Sequence, residues 1–283
     1  MTTIEHKPGT WIVPSTGEEI RHNDLMNGLS RKQAVLLGET HDRYDIHRWQ
    51  LHVTAGLYAH NANLVVGFEM FPRSTQPVLD AWVAGNLSNA EFLDKVGWQT
   101  VWGFPADLYM PIFDFCRQFR IPMKALNCRR ALVTEVGKLG WEAIAPEDRD
   151  GVTPAKPATP AYRQYLFDIT GGGSPARKAT SAEDPAFDRF VRAQQTWDRA
   201  FACNIAEAHA DGGALVVGII GRGHLEYGHG TPYQLADLGF TDVAVLLPSD
   251  HEQIAAEQHD MAAAMYRLPP VEHAVAKRNR DEV

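Results

Sequence analysis

The stretch Val35–Gln50, "VLLGETHDRYDIHRWQ", decides how the rest of the chain is read. An apolar run stops at Gly38, Glu39 and His41 follow within three residues, and a helical pattern then begins. In "RYDIHRWQLHVTAGLYAH" the residues Ile46, Trp49, Val53 and Leu57 recur at helical spacing, with Thr40 or Asp42 expected as the N-cap. The stretch therefore reads as a strand that hands polar groups to its carboxyl end and turns into a helix.

The same kind of apolar run recurs at Asn63–Phe71, Ile121–Asn127, Ala214–Gly221 and Asp242–Pro248, after the first at Ala34–Gly38. These runs are continuous where a half-exposed strand would alternate, so they predict strands buried on both faces. Long amphipathic segments separate most of them. Such crossovers predict an α/β fold with a mainly parallel sheet flanked by helices and with a helical lobe or lid inserted. Residues 1–265 are expected to form a single domain with helical insertions at about 80–120 and 130–210, and 266–283 a flexible tail. Within the second insertion, the Pro-, Gly- and Ala-rich Thr153–Pro185 is expected to include mobile backbone, with helix from Phe187 onward.

Composition removes several function classes. Of 283 residues 45% are hydrophobic, ample for a sizeable core, yet no run approaches the roughly 20 apolar residues of a membrane span. The N-terminus "MTTIEHKPGTW" lacks a signal peptide's basic start and apolar centre, so the expected location is the cytoplasm. A net charge of −8 without a basic stripe argues against nucleic acid as a partner. Cys116, Cys128 and Cys203 are odd in number and widely spaced, which argues against a disulfide framework, a CxxC zinc site and a CxxCH haem attachment. HExxH, GxSxG and the P-loop are absent, and "GRGHLE" is not GxGxxG because Glu226 replaces the third glycine.

In an open α/β sheet, ligands gather outside the carboxyl ends of the strands. Four of the five predicted strands deliver polar groups there: Glu39 and His41; Glu69; Asn127, Arg129 and Arg130; Arg222 and His224. Two residues apart on an extended chain, Glu39 and His41 project to one side. A carboxylate beside an imidazole can hold a metal, act as an acid–base pair or orient a ligand. The alternative is structural: Glu39 paired with an arginine, His41 capping the helix, Glu69 bridged to Arg129 or Arg130, and His224 a satisfied loop residue. "GWQTVWGFPADLYMPIFDF" offers Trp98, Trp102, Phe104 and Tyr109 either to an apolar ligand slot or to the core.

With "LLGETHDRYDIHRWQ", "VGFEMF", "YMPIFDFCRQFRIPMKALN", "RAQQTWDRAFACNI" and "IIGRGHLEYGHGTPYQL" in this order, the chain resembles the ChaN-like haem-binding uptake family. That family sits in the wider group of Tiki proteases, TraB-type proteins and erythromycin esterases. The resemblance implies an α/β core with a helical lobe, a site at the GExH edge, and haem binding in the setting of iron acquisition. By it Glu39, His41, Glu69 and His224 correspond to the polar cluster of the wider group, whose hydrolytic branches use such residues to bind metal or as acid and base. Two features depart from the family: the chain shows no lipobox, and Ala155–Pro185 has no histidine to serve as an iron ligand.

Two functions follow as expectations. The first is non-covalent binding of haem, or of a small apolar ligand. Tyr109, Tyr227 or His229 would then be the iron ligand, Trp102 a wall, and Arg129 and Arg222 partners for the propionates. The second is an ester- or peptide-hydrolysing activity using Glu39, His41, Glu69 and His224 around a divalent metal or as metal-free acid–base groups. A homodimer is left open as the assembly state.

Overall fold

Among the described residues there are ten strands, most of the longer ones separated by helices: β1 (Ile4–Glu5), β2 (Trp11–Val13), β3 (Glu18–Ile20), β4 (Ala34–Glu39), β5 (Leu64–Pro72), β6 (Met123–Asn127), β7 (Leu215–Gly221), β8 (Val243–Ser249), β9 (Gln253–Ile254) and β10 (Ala264–Arg267). The computed structural model describes residues 4–170 and 179–270. Eight strands form one sheet in the order β3-β2-β10-β8-β4-β7-β5-β6, while β1 and β9 pair separately. From β10 to β6 all neighbours are parallel, while β2 pairs antiparallel with both β10 and β3 at the other edge. The mainly parallel α/β sheet flanked by helices agrees with the sequence.

The central strands are mainly apolar because both of their faces are covered, with Glu39 and Glu69 as exceptions towards their carboxyl ends. Val35 and Leu37 of β4, with Val217 and Ile219 of β7, enter a core shared with Trp49, Val53 and Phe113 of the helices Tyr44–His60 and Met110–Phe119. Leu36, Val216 and Ile220 point the other way, onto Phe201 and Ile205 of the helix Asp188–Ala210. Fully burying such a side chain contributes about 1.5–3 kcal/mol. The stacking of these layers therefore holds the strand ends in fixed relation.

Several boundaries differ from the expectations. The first helix begins at Tyr44 after Arg43, without a side-chain cap from Thr40 or Asp42. Residues 40–43 make a turn instead, closed by the Arg43 N–H on the Thr40 carbonyl at 3.2 Å, and Arg43 is pinned by Asp45 and Asp250. At the other end, Tyr266 and Arg267, assigned above to a tail, belong to β10, whose register pairs them with Pro248 and Ser249 of β8. Residues 271–283 lie outside the described residues, as do 171–178 of the segment expected to be mobile. The helix Pro160–Ile169 of the second insertion is capped by the Thr159 side chain, and its Tyr162 and Leu166 bury against Phe187 and Val191. In the first insertion, Phe92 and Trp98 join the main core, so that segment is part of the sheet's cover.

No helix among the described residues is long and apolar enough to cross a membrane.

Candidate functional site

β4 and β7 run side by side in register, which places Glu39, the last residue of β4, opposite Gly221, the last of β7. Glu39 is almost completely buried, a position that a carboxylate tolerates only when its oxygens are satisfied. His41 Nδ1 (2.8 Å) and the Tyr109 hydroxyl (2.8 Å) donate to Oε1, and Gln50 Nε2 (3.1 Å) donates to Oε2. His47 stands 3.6 Å from Oε2, with both ring nitrogens facing oxygen acceptors on Gln50 and His41. Burial alone would raise the Glu39 pKa. The charge of His47 and the hydrogen bond from His41 overcome that and hold it down at about 2.

His41 lies at the mouth of this network. Its Nδ1 is also 3.5 Å from Glu69, and its ring meets the edge of Trp102 at 4.8 Å and Phe104 at 5.4 Å. Burial works against its charge, but the Glu39 hydrogen bond and the Glu69 carboxylate prevail and lift its pKa to about 9.

Glu69 arrives from β5 where that strand shifts register against β6, between Phe68 and Pro72. Its Oε2 accepts the Gly221 N–H at 2.8 Å. A Cβ at Gly221 would come within 3.0 Å of His41 and 3.4 Å of Glu69, so the strand end needs glycine. Burial, reinforced by the charge of Glu39 and opposed by His41, pushes the Glu69 carboxyl above its ordinary range. Two carboxylates beside one imidazole are thus driven in opposite directions, a recurrent sign of acid–base roles.

His224 closes the site from the far side. It follows β7 in a short 3-10 turn, and its Nδ1 lies 2.8 Å from Asp198. Asp198 is fully buried on the helix Asp188–Ala210 and also accepts from Tyr162 (2.6 Å) and Thr231 (3.2 Å). Burial would lower the His224 pKa; the charge and hydrogen bond of Asp198 raise it.

His41, Glu69 and His224 line one cleft of about 500 Å³, within the usual range of small-molecule sites. Trp102, Arg129 and Arg130 line it too, and Glu39 lies beneath His41. The four strand-end residues therefore come together.

Other candidates fall elsewhere. Tyr109 is fully buried under the cleft with its hydroxyl given to Glu39, so no phenol remains there for iron. Glu69 makes no bridge to Arg129 or Arg130 among the described residues; Arg129 pairs with Asp148 at 2.9 Å. Arg222 is tied to Glu226, and Tyr227 and His229 form a separate ledge, with rings 5.7 Å apart. Cys128 also lines the cleft, but burial pushes its thiol up to about 12, well above what a nucleophilic thiolate at neutral pH requires.

Glu39, His41 and Glu69 could each offer one metal-ligand atom within 4.8 Å of the others. The donors are already engaged with one another, and the proton held by His41 competes with any metal.

Asp198, Gln50 and Tyr162 were not singled out in the sequence, and His47, six residues from His41, was set aside because the two would not share a helix face. Asp198 precedes Phe201 by three residues and Ile205 by seven, and Gln50 follows Ile46 by four. A polar residue on the apolar face of an amphipathic helix is the signal that could have found both.

Residues 25–235 match the family described as haem-binding uptake, Tiki superfamily, ChaN. The chain belongs to this family. Among solved structures, the ChaN of Campylobacter jejuni, described for cofacial haem binding, is similar with a TM-score of 0.71 at 20% identity, over 92% of this chain and 97% of that one. The type III effector HopBA1 is similar with a TM-score of 0.51 at 13% identity, over 87% and 93% of the two chains. At these identities the likeness shows the fold that this ChaN-like chain shares with them. No curated protein sequence matches the chain.

Proposed function

We propose that this ChaN-like protein binds ferric haem non-covalently and serves in haem or iron handling. The observation that carries the reading is the ledge just past β7. Tyr227 and His229 sit there side by side, half-buried, and neither the phenol nor the imidazole has a hydrogen-bond partner in the protein among the described residues. Burial lowers the His229 pKa, which keeps a nitrogen lone pair available at neutral pH. Tyr227 adopts a left-handed backbone (φ 57°), uncommon for an aromatic residue, and its N–H is held by the Met261 carbonyl at 3.0 Å. Tyr165 flanks both rings at 5.8 and 6.0 Å. These residues fit haem, whose ferric iron takes a phenolate or an imidazole as axial ligand.

The test is a ferric haem titration followed by absorption, with an apolar-surfaced unrelated protein as control. Tyr227→Phe or His229→Ala should shift the spectrum and weaken binding by about 10- to 100-fold, by analogy with losses at metal sites. Tyr109→Phe should leave the spectrum unchanged. A wild-type titration no different from the control removes the reading.

A second reading, acid–base hydrolysis at the cleft, is favoured by the opposed behaviour of Glu39 and Glu69 around His41. It expects ester or amide turnover that disappears in His41→Ala while the protein stays folded.

A further inference from the structure

Both sides of the cleft carry the same chain of hydrogen bonds. On one side the Tyr109 hydroxyl and His41 Nδ1 converge on the Glu39 carboxylate, each at 2.8 Å. On the other, the Tyr162 hydroxyl at 2.6 Å and His224 Nδ1 at 2.8 Å converge on the Asp198 carboxylate. Both tyrosines and both carboxylates are buried. The four residues come from β4, the helix Asp188–Ala210, and the turns into two other helices or the helices themselves, so no local repeat accounts for the likeness.

The chemistry of the pairs fixes the imidazoles. An ionised carboxylate only accepts, so the hydrogen shared with it must sit on Nδ1 of each ring, which leaves Nε2 for the cleft. Among the described residues neither Nε2 has a hydrogen-bond partner, and both rings line the cleft. Asp198 has little freedom to move. Thr231 donates to it at 3.2 Å, and a Cβ at Gly230 would lie 2.7 Å from its Oδ1 and 2.5 Å from the His224 carbonyl oxygen. Glu69 is in reach of His41, at 3.5 Å, on the floor between the two rings.

We propose that Tyr162 and Asp198 are positioning residues that hold His224 as Tyr109 and Glu39 hold His41, so that two imidazole Nε2 atoms face one ester substrate. The inference rests on the hydrolytic reading of the cleft. In the step it serves, Nε2 of one neutral imidazole takes a proton from water as the water oxygen bonds to the ester carbonyl carbon. The opposite imidazolium gives its Nε2 proton to the alkoxide oxygen as the carbon–oxygen bond breaks. An acid and an alcohol leave, and the proton returns from one ring to the other through solvent. Each tyrosine, by bonding its carboxylate, fixes the plane of the group that in turn fixes the ring.

Nitrogen-15 NMR of the histidine side chains in the full chain, recorded for wild type, Asp198→Asn and Tyr162→Phe, reads this directly. At a pH where the His224 ring is neutral, wild type should show it with its hydrogen on Nδ1. Asp198→Asn should move the hydrogen to Nε2, and Tyr162→Phe should keep the tautomer while exchange of the Nδ1 proton quickens by about tenfold. With p-nitrophenyl acetate as the ester probe, Asp198→Asn should lower kcat on the order of 10²- to 10⁴-fold at unchanged KM, as expected when the base keeps its place but loses its tautomer. If Asp198→Asn does not fold, Tyr162→Phe carries the readout. An unchanged His224 signal in the folded variants overturns the positioning role. The tautomer change without turnover in wild type upholds that role and overturns both the ester substrate and the hydrolytic reading.

Discussion

The cleft and the ledge lie beyond the end of the same strand, β7, and use similar side chains to opposite effect. In the cleft, Nδ1 of His41 and of His224 is bonded to a buried carboxylate, and Tyr109 and Tyr162 spend their hydroxyls on those same carboxylates. At the ledge, a few residues on, Tyr227 and His229 keep their polar atoms unbonded among the described residues. The difference is one of commitment. Groups that hold each other in place are suited to proton transfer, because their geometry is set before a ligand arrives. Groups left open on a firm backbone are suited to binding an electron-poor centre, because no internal bond has to be broken first.

The largest effect that sharpens this contrast is on stability. Glu39→Ala leaves His41, His47, Gln50 and Tyr109 facing a void at a buried position, and removing one partner of such a network costs about 3–5 kcal/mol. Tyr227→Phe removes a hydroxyl with no hydrogen-bond partner among the described residues and should change stability by no more than about 0.5 kcal/mol. Urea unfolding of the two variants checks both. Equal losses would mean that the ledge is as tightly built as the cleft.

A smaller effect is expected in the pH dependence. The Glu39 pKa is held down, so its contribution is present above the ordinary 4.5 and is lost as pH falls from there through about 2. The His41 pKa is raised, so its contribution is complete below 6.5 and is lost as pH rises through about 9. Glu69 is shifted upward and works against stability once ionised. Thermal unfolding from about pH 4 to pH 10 should therefore decline on the alkaline side in wild type and less in His41→Ala. The same decline in both would assign it to other groups.

The smallest expected effect is at Arg222. Its guanidinium is held by Glu226 beside the ledge, and Tyr165 also donates to Glu226 at 2.7 Å. Arg222→Gln should weaken haem by only a few-fold, because the partly exposed pair is screened by water. A loss as large as that of Tyr227→Phe would make the arginine an anchor for the propionates.

What the sequence disclosed follows the length and purity of its signals. β4, β5, β6, β7 and β8 were legible because both faces are covered, which makes each strand a mainly apolar run without alternation. β2, β3 and β10 were not, since three or four residues carry no periodicity and β2 finds its partner β10 at the opposite end of the chain. At the site, the convergence of Glu39, His41, Glu69 and His224 follows from parallel topology alone. Which neighbour each would choose does not. Glu69 reaches the Gly221 N–H because of a register shift in β5, and Arg129 turns to Asp148 because residues 140–150 pass beside it. Tyr109 looked available in sequence because nothing there reveals that its hydroxyl points inward at Glu39.

The most direct test of the central claim compares two double variants in one ferric haem titration. Tyr227→Phe with His229→Ala empties the ledge of iron ligands, and His41→Ala with His224→Ala empties the cleft of imidazoles. If haem is held at the ledge, the first pair abolishes the wild-type absorption change and the second leaves it intact. An intact spectrum in the ledge variant, together with its loss in the cleft variant, would contradict the account and move the iron to the histidines of the cleft.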